Sequence, residues 1–310
     1  MRAVTIPRFG EPEVLEVMDL PDPHAGPGEV RIRVAAAAVN PTDTIFRAGW
    51  YRRPVDDPSP SIPGMDAAGI VDEVGEGVRW SIGDEVMAIV LPTGPHGGAY
   101  ASQLVVPADS VARIPTGSTL IEASTLPMNG LTARSSLDQL ALQPGQTIAV
   151  TGAAGAYGGY VVQLAKQDGL TVIADASEAD EALVRDLGAD VVVRRGDDVA
   201  KRIRDARPDG VDGLADGAVL DGRVLDAIKD GGGLAVVRGW EGPTERDITL
   251  HRTFVSAYAQ NHDALDRLRQ QVEGGHVSLR VAGTYDPSDA AMAHRRLEAG
   301  GTRGRLVITF

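Results

Sequence analysis

The clearest pattern of apolar and polar positions lies in the middle of the chain. Residues 148–151 form a short apolar, partly β-branched run, and the turn signal Pro144-Gly145 precedes it. Three glycines follow, and apolar residues then recur with a helical period over residues 161–165. The pattern predicts a buried strand, a glycine-rich turn and a helix.

The next segments repeat this alternation of strand and helix. Residues 170–177 form an apolar run that ends in an acid, residues 181–187 are helical in pattern, and residues 191–193 form a third strand. Further strands are indicated at residues 213–215 and 234–237. Strands that alternate with helices predict a doubly wound parallel sheet, and therefore the α/β class.

The first part of the chain has a different pattern. Strands are predicted at residues 2–6 and 30–39, and further short strands at residues 68–74, 85–90 and 101–106. Glycine or proline bounds each of them, and no long helix intervenes. Such a series predicts a compact, barrel-like β domain.

Helical patterns appear before and after the parallel sheet. Residues 121–126 and 131–139 lead into it, and residues 264–272 form an amphipathic helix behind it. A strand (277–281), a helix (290–297) and a final strand (305–310) close the chain. We therefore expect a first domain at residues 1–122, a nucleotide-binding domain at 123–259, and a return to the first domain at 260–310.

Composition excludes several classes of function. The 310 residues are 43% hydrophobic and 24% charged, as in soluble globular proteins, and their number suits two domains. The net charge of −13, without a block of Lys or Arg, makes nucleic acid a poor partner. No apolar run approaches the roughly 18 residues of a membrane span, and no signal-peptide pattern is present, so the cytoplasm is the expected compartment. The absence of Cys excludes disulfides, thiolate nucleophiles and Cys-bound zinc.

The glycine-rich turn carries the first indication of chemistry. Gly152, Gly155 and Gly158 lie at three-residue spacing between the predicted strand and helix. Glycines let backbone N–H groups approach a pyrophosphate, and a helix N-terminus carries positive partial charge. Asp175 follows Gly155 by 20 residues, about where a Rossmann unit places the carboxylate that binds ribose hydroxyls. A tight turn without a ligand is the alternative, but the completed βαβαβ unit favours a dinucleotide site.

Several short motifs follow one another in a specific order along nearly the whole chain. They include Phe9-Gly-Glu-Pro-Glu-Val-Leu-Glu16, Gly26-Pro-Gly-Glu-Val30, Ala38-Val-Asn-Pro-Thr-Asp43, Pro63-Gly-Met-Asp-Ala-Ala-Gly69, Thr151-Gly-Ala-Ala-Gly-Ala-Tyr-Gly158, Leu187-Gly-Ala-Asp190 and Gly304-Arg-Leu-Val307. In this order they resemble the zinc-free quinone oxidoreductase branch of the medium-chain dehydrogenase/reductase superfamily. The resemblance implies a GroES-like β domain interrupted by a Rossmann domain. It also implies a homodimer in which a strand near residues 247–255 pairs with its copy.

The resemblance assigns catalytic positions to Asn40, Asp43 and Tyr51. The Asn40 amide is expected to hold the nicotinamide carboxamide or a substrate carbonyl. Asp43 either orients the backbone or Arg47, or transfers a proton, and the structural role is the favoured one. Ile45 stands where family members have a substrate-pocket Tyr, so Tyr51 is a candidate for the hydroxyl, with plain packing as the alternative.

The cofactor site is expected to draw on the turn and on several residues beyond it. The candidates are Gly152, Ala153, Gly155, Ala156, Tyr157, Gly158, Asp175, Ser177, Arg195, Arg238 and Arg303. Asp175 and Asp180 would repel a 2′-phosphate and favour NADH, whereas Arg195 can bind that phosphate or neutralise Asp175. The balance leans slightly to NADH over NADPH.

The resemblance also bears on metal and reaction. Zinc-bearing relatives have Cys at the place of Asn40 and His at the place of Met65, and neither residue present here is a normal zinc ligand. We therefore expect no metal and a hydride transfer from NAD(P)H to a quinone or an α,β-unsaturated carbonyl. A biosynthetic enoyl reductase and a dinucleotide-binding protein with little turnover are the alternatives.

Overall fold

The computed structural model describes residues 1–50 and 60–310. The described chain divides into two compact units. Unit 1 comprises Met1–Met128, Ser256–Gly274 and Leu279–Phe310, and unit 2 comprises Asn129–Val255 and Gly275–Ser278. Tyr51, a predicted catalytic residue, lies outside the described residues.

The helices and strands follow one another in this order. Unit 1 begins with β1 (Arg2–Thr5), β2 (Glu16–Asp19), β3 (Glu29–Ala38), α1 (Pro41–Arg47), β4 (Asp66–Val74), β5 (Glu85–Ile89), β6 (Gln103–Pro107), β7 (Val111–Arg113) and α2 (Leu120–Ala123). Next come α3 (Pro127–Leu140), β8 (Thr147–Thr151), α4 (Ala156–Gln167), β9 (Thr171–Ala176), α5 (Glu181–Asp186), β10 (Val191–Arg194), α6 (Val199–Ala206), β11 (Val211–Asp216), β12 (Ile228–Val236) and β13 (Thr249–Arg252). The chain closes with α7 (His262–Glu273), β14 (Val281–Tyr285), α8 (Ala290–Glu298) and β15 (Arg305–Thr309).

Strand β3 organises the sheet of unit 1. The strand order is β14-β15-β3-β4-β5-β7, and β6 also pairs with β3. Strand β3 pairs with β4 over residues 30–36, with β6 over residues 29–33 and with β15 over residues 36–38. Because β3 changes partner from β6 to β15 along its length, the sheet bends around a core. Val30, Ile32 and Val34 alternate with polar residues and point into that core. The predicted barrel-like β domain is confirmed.

Unit 2 is built on a parallel sheet. Its strand order is β10-β9-β8-β11-β12-β13, and all of the neighbouring strands pair in parallel. Counted from the first strand to enter the sheet, β8, this is the 3-2-1-4-5-6 order of a doubly wound Rossmann fold. The predicted fold class is confirmed. The glycine-rich turn follows β8, where the strand order reverses, which is where such sheets bind ligands.

Some local predictions differ from the structure. No element was expected at α1, α6, β2 or β7. The strand predicted at residues 277–281 is wrong, because β14 begins only at Val281. The backbone N–H and the hydroxyl of Ser278 both donate to Gln163 Oε1, at 2.8 and 2.9 Å, so this stretch is held to α4. Within residues 1–50 and 60–310, no helix has the length and apolar character needed to cross a membrane.

Candidate functional site

The glycine-rich turn takes the conformation that its composition requires. Gly152 follows β8 with a φ of +65°, in the left-handed region that favours glycine. A Cβ at Gly152 would lie 2.8 Å from the backbone carbon of Gly217, so a side chain has no room there. The loop after β11 therefore packs directly on the turn.

The other two glycines place helix α4 against the turn. Gly155 is the N-cap residue of α4, and Ala156 begins the helix. A Cβ at Gly158 would lie only 2.4 Å from the Gly152 carbonyl oxygen. The first turn of α4 can therefore pack against Gly152 only because residue 158 has no side chain. No acid lies in this first turn, and the first N–H groups of a helix have no partner within it. We call the glycine-rich turn and the first turn of α4, residues 152–158, the cradle. The cradle therefore fits the pyrophosphate of a dinucleotide.

Asp175 lies beside this cradle, as the glycine spacing predicted. Its Oδ1 accepts the N–H of Ala153 at 3.1 Å, and the side chain is buried at the end of β9. Burial raises the pKa of Asp175, while the amides of Ala153 and Gly152 and the charge of Arg195 oppose the rise. The sheet thus brings Asp175 and the turn together.

The remaining cofactor candidates lie farther along the chain. The Ser177 hydroxyl donates to Asp180 Oδ2, and Arg195 is exposed just after β10. Arg238 is exposed after β12, and Arg303 lies in unit 1, before β15. Contacts between these side chains and a cofactor stay predictions.

Tyr157 is fixed by contacts within unit 2. Its hydroxyl donates to Ser136 Oγ at 2.8 Å, and Ser136 Oγ lies 3.0 Å from Thr253 Oγ1. A Cβ at Gly217 would lie 2.9 Å from Tyr157 Cδ1, so the ring packs on that glycine. Burial raises the pKa of Tyr157 above its ordinary value. These contacts support a role for Tyr157 in shaping the wall of the cofactor or substrate pocket, rather than a role as a proton donor.

Asp216, at the end of β11, is a functional candidate that the sequence reasoning missed. Its Oδ1 accepts the Thr151 hydroxyl at 2.5 Å and the Ala218 N–H at 3.2 Å. Its Oδ2 accepts the N–H groups of Leu220 and Asp221 at 2.6 and 2.7 Å. The sequence carried a signal for Asp216, because an acid lies at the end of β11 just as Asp175 lies next to the last residue of β9.

Asn40 lies in a buried polar cluster of unit 1. Its Nδ2 donates to Asp66 Oδ2 at 2.8 Å and to the Ala38 carbonyl oxygen at 3.3 Å. Its Oδ1 accepts Arg305 Nη2 at 2.6 Å, and the same nitrogen lies 3.1 Å from Asp66 Oδ2. Burial raises the pKa of Asp66, and Arg305 opposes the rise. A substrate contact by Asn40 stays a prediction, and these contacts support a structural role.

Asp43 accepts hydrogen bonds from backbone, and these contacts support the structural role that the sequence favoured. Its Oδ2 accepts the Asn40 N–H at 2.8 Å, and its Oδ1 accepts the Gly64 N–H at 3.1 Å. The Tyr100 hydroxyl also donates to Oδ2, at 3.1 Å. Burial raises the pKa of Asp43 to about 7. The carboxylate therefore secures the start of α1, and Arg47 is not among the hydrogen-bond donors described for it.

Arg47 instead joins α1 to α8. Its Nη1 lies 3.2 Å from His294 Nδ1, and its Nη2 donates to Glu298 Oε1 at 2.6 Å. Its Nε donates to the Gly10 carbonyl oxygen at 3.0 Å. Both ends of α1 are thus held by buried or partly buried polar contacts.

Comparison with known families finds two matching models. A model described as alcohol dehydrogenase GroES-like domain matches residues 26–116. A model described as zinc-binding dehydrogenase matches residues 187–308. The matches fall on unit 1 and on the segment that runs from unit 2 to the C-terminus.

Individual relatives cover nearly the whole chain. An NADPH-dependent alkenal/one oxidoreductase of Arabidopsis thaliana is 31% identical and covers 99% of this chain and 79% of its own. A quinone oxidoreductase of Pseudomonas aeruginosa is 30% identical over 97% of both chains. Among solved structures, an NAD-dependent alcohol dehydrogenase superposes with a TM-score of 0.87 at 30% identity. A mycobacterial protein complexed with NADPH superposes with a TM-score of 0.87 at 29% identity, and both structures cover 100% of each chain.

Proposed function

This chain belongs to the medium-chain dehydrogenase/reductase superfamily, and from that membership we propose that it is a zinc-independent, NAD(P)H-dependent reductase of quinones or α,β-unsaturated carbonyls. The observation that carries the proposal is the cradle of Gly152, Gly155 and Gly158 at the point where the strand order of unit 2 reverses. Relatives named quinone oxidoreductase and alkenal/one oxidoreductase support the substrate class.

The chain's own groups have distinct parts in this proposal. The first turn of α4 and the glycine turn bind the pyrophosphate, and Asp175 faces the ribose of the adenosine half. Tyr157 forms part of the wall, and the buried contacts of Asp43 and Arg47 hold α1 in place. When bound, the nicotinamide supplies the hydride, while the protein supplies binding, orientation and exclusion of water.

Zinc independence is supported by the donor set. The chain has no Cys, and Met65 offers only a thioether. The Asn40 amide is committed to Asp66 and Arg305, and the Arg305 guanidinium puts a positive charge beside it. These residues do not fit a zinc ion, although one matching family model is named for zinc. Turnover should survive exhaustive chelation, and a metal-dependent loss would contradict the proposal.

The lack of zinc ligands favours electron-poor acceptors. A saturated carbonyl develops a full alkoxide as hydride arrives, and metal-bearing relatives stabilise that charge with zinc. A quinone or enone spreads the charge over a conjugated system. The loss of a strong stabiliser of the alkoxide is worth several kcal/mol, or about a few powers of ten in rate.

Cyclohex-2-enone and cyclohexanone form a matched pair of substrates for this test. The enone and a panel of benzoquinones should be reduced far faster than the saturated ketone, with either cofactor. Gly155→Val, which puts a branched side chain into the cradle, should remove activity while far-ultraviolet circular dichroism stays unchanged. Oxidation of simple secondary alcohols faster than reduction of any quinone or enone would overturn the assignment.

Cofactor preference is the finer part of the proposal. We infer a lean to NADH, because Asp175 and Asp180 place negative charge near the 2′ position, while Arg195 is the opposing cation. One similar structure is an NAD-dependent enzyme and another was solved with NADPH, so likeness alone does not decide between the cofactors.

A homodimer is also part of the proposal. Strand β13 (Thr249–Arg252) ends the parallel sheet of unit 2 and falls within the expected pairing segment. An unpaired strand edge is a template for pairing with a second copy. Light scattering at micromolar concentration should give twice the chain mass of 32.5 kDa, and a monomer would contradict this.

A further inference from the structure

We propose that Asp216 is a positioning residue that holds residues 217–221 as the wall of the site for the nicotinamide half of the dinucleotide. The inference rests on the proposed function and concerns unit 2 alone. Asp216 itself does not touch the reacting atoms. It acts through the backbone of the loop that follows β11.

The hydrogen bonds of Asp216 account for the shape of this loop. The buried carboxylate accepts one hydroxyl, from Thr151, and three backbone N–H groups from the loop. Ala218 N–H also approaches Thr151 Oγ1 at 3.3 Å. Several charge-assisted bonds converge on one carboxylate, and each is stronger than a neutral hydrogen bond.

The loop is held in a conformation that its residues do not favour. Val219 and Asp221 both have a φ of +55°, and Leu220 between them has right-handed helical angles. A β-branched residue with positive φ is a genuine outlier. Such a residue persists only where its surroundings over-determine it, and such strain is concentrated at functional sites. Alternating left- and right-handed residues turn their N–H groups into one concavity, which the Asp216 carboxylate occupies here.

The loop lies against the cofactor cradle. The absent side chain of Gly152 leaves the space that Gly217 and Ala218 fill, since a Cβ there would lie 2.8 to 3.0 Å from their backbone atoms. The ring of Tyr157 also packs on Gly217, because a Cβ there would lie 2.9 Å from Tyr157 Cδ1. A shift of the loop would therefore open the turn on this side.

The topology indicates which half of the dinucleotide the loop serves. A doubly wound sheet consists of two mononucleotide-binding halves that meet where the strand order reverses. Strands β8, β9 and β10 form the first half, and Asp175 at the end of β9 marks it as the adenosine side. Strand β11 begins the second half, so the loop behind it faces the nicotinamide side.

Fragment binding tests this assignment. Calorimetry should compare NADH with ADP-ribose, and NADPH with 2′-phospho-ADP-ribose, for the wild type and for Asp216→Asn. An amide leaves one acceptor oxygen, so about half of the four donors lose their partner. We expect each whole dinucleotide to bind at least about tenfold more weakly, and each fragment without nicotinamide to bind within about threefold of the wild type.

The controls separate the possible causes. Asp226→Asn makes the same chemical change at an exposed residue beyond the loop. It should alter neither the affinity for the dinucleotides nor that for the fragments. If Asp216→Asn does not fold, Thr151→Val removes the hydroxyl that contacts both the carboxylate and Ala218 N–H. It should weaken the dinucleotides about threefold and leave the affinity for the fragments unchanged. Equal weakening of dinucleotide and fragment, or no weakening at all, would overturn the inference. Failure of the wild type to bind any of the four probes would instead reject the proposed function.

Discussion

Tyr100 donates its hydroxyl hydrogen to Asp43 Oδ2 over 3.1 Å, and neither side chain exposes any surface. The same hydroxyl lies 3.2 Å from His294 Nε2. Because the tyrosine hydrogen points at Asp43, the network assigns the Nε2–H of His294 as the donor to Tyr100. Nδ1 of His294 then accepts from Arg47, so the ring is neutral and both nitrogens are used.

His294 should make the protein sensitive to acid. Burial, with a smaller contribution from Arg47, lowers its pKa from 6.5 to about 3. The unfolded chain therefore binds a proton between these values that the folded chain does not, and stability falls as pH drops through this window. At pH 4 this effect lowers the free energy of unfolding by about 3 kcal/mol relative to pH 7.

The test uses His294→Gln, since the amide can both donate to Tyr100 and accept from Arg47. Relative to the wild type, the free energy of unfolding of this variant should rise by about 3 kcal/mol between pH 7 and pH 4 in urea titrations. His24→Gln, at an exposed position, is the control. Parallel pH curves for His294→Gln and the wild type would reject the prediction.

Asp43 should affect the pH dependence of stability in the direction opposite to His294. Its pKa is raised from 3.8 to about 7, so at intermediate pH the folded chain holds a proton that the unfolded chain has lost. Its contribution to stability is present below about pH 4 and is lost as pH rises to about 7. In the His294→Gln background, the free energy of unfolding should therefore decrease from pH 4 to pH 7, and adding Asp43→Asn should flatten that slope.

Two glycines of the cradle should differ sharply in their tolerance of a methyl group. A Cβ at Gly158 would lie 2.4 Å from the Gly152 carbonyl oxygen, whereas one at Gly155 would lie 3.1 Å from the same atom. Gly158→Ala should lower the free energy of unfolding by about 3 kcal/mol, and Gly155→Ala by less than about 1 kcal/mol. Urea titration of both variants measures the contrast, and similar losses would show that α4 shifts freely.

Val219→Gly should stabilise the free protein. A glycine takes the φ of +55° without the steric cost of a β-branched side chain, a relief of about 1 kcal/mol. Val237→Gly, at a position outside the positive-φ residues, should instead destabilise by about 1 kcal/mol. Thermal unfolding of the two variants gives the comparison. A loss of stability in both would mean that the strain at Val219 is negligible.

Asp175 should control the choice between cofactors. Its carboxylate is held at the cradle by Ala153, and its charge would face a 2′-phosphate. Asp175→Ser should raise the ratio of kcat/KM for NADPH to that for NADH by about tenfold or more. Asp186→Ser, at an exposed position on α5, is the control. A wild type that already prefers NADPH strongly would show that Arg195 outweighs the acids.

Local patterns determined much of unit 2 from the sequence alone. The apolar run of β8, the spacing of Gly152, Gly155 and Gly158, and the acid near the end of β9 are each local features of the sequence. A strand, a left-handed turn and a helix start are local conformations, so residue type and spacing suffice to predict them. The order of motifs also sufficed to identify the superfamily.

Only the tertiary structure determined which residues come together in the polar clusters. Asn40 and Asp66 are 26 residues apart, and Arg305 lies 239 residues beyond Asp66. No local pattern brings such residues together, because their distances depend on how strands β3, β4 and β15 pack. Thr151 and Asp216, 65 residues apart, likewise meet only because β8 and β11 are neighbours in the sheet. The sequence therefore located the cradle, whereas strand order and burial determined which charged groups surround it and which are committed to holding the fold.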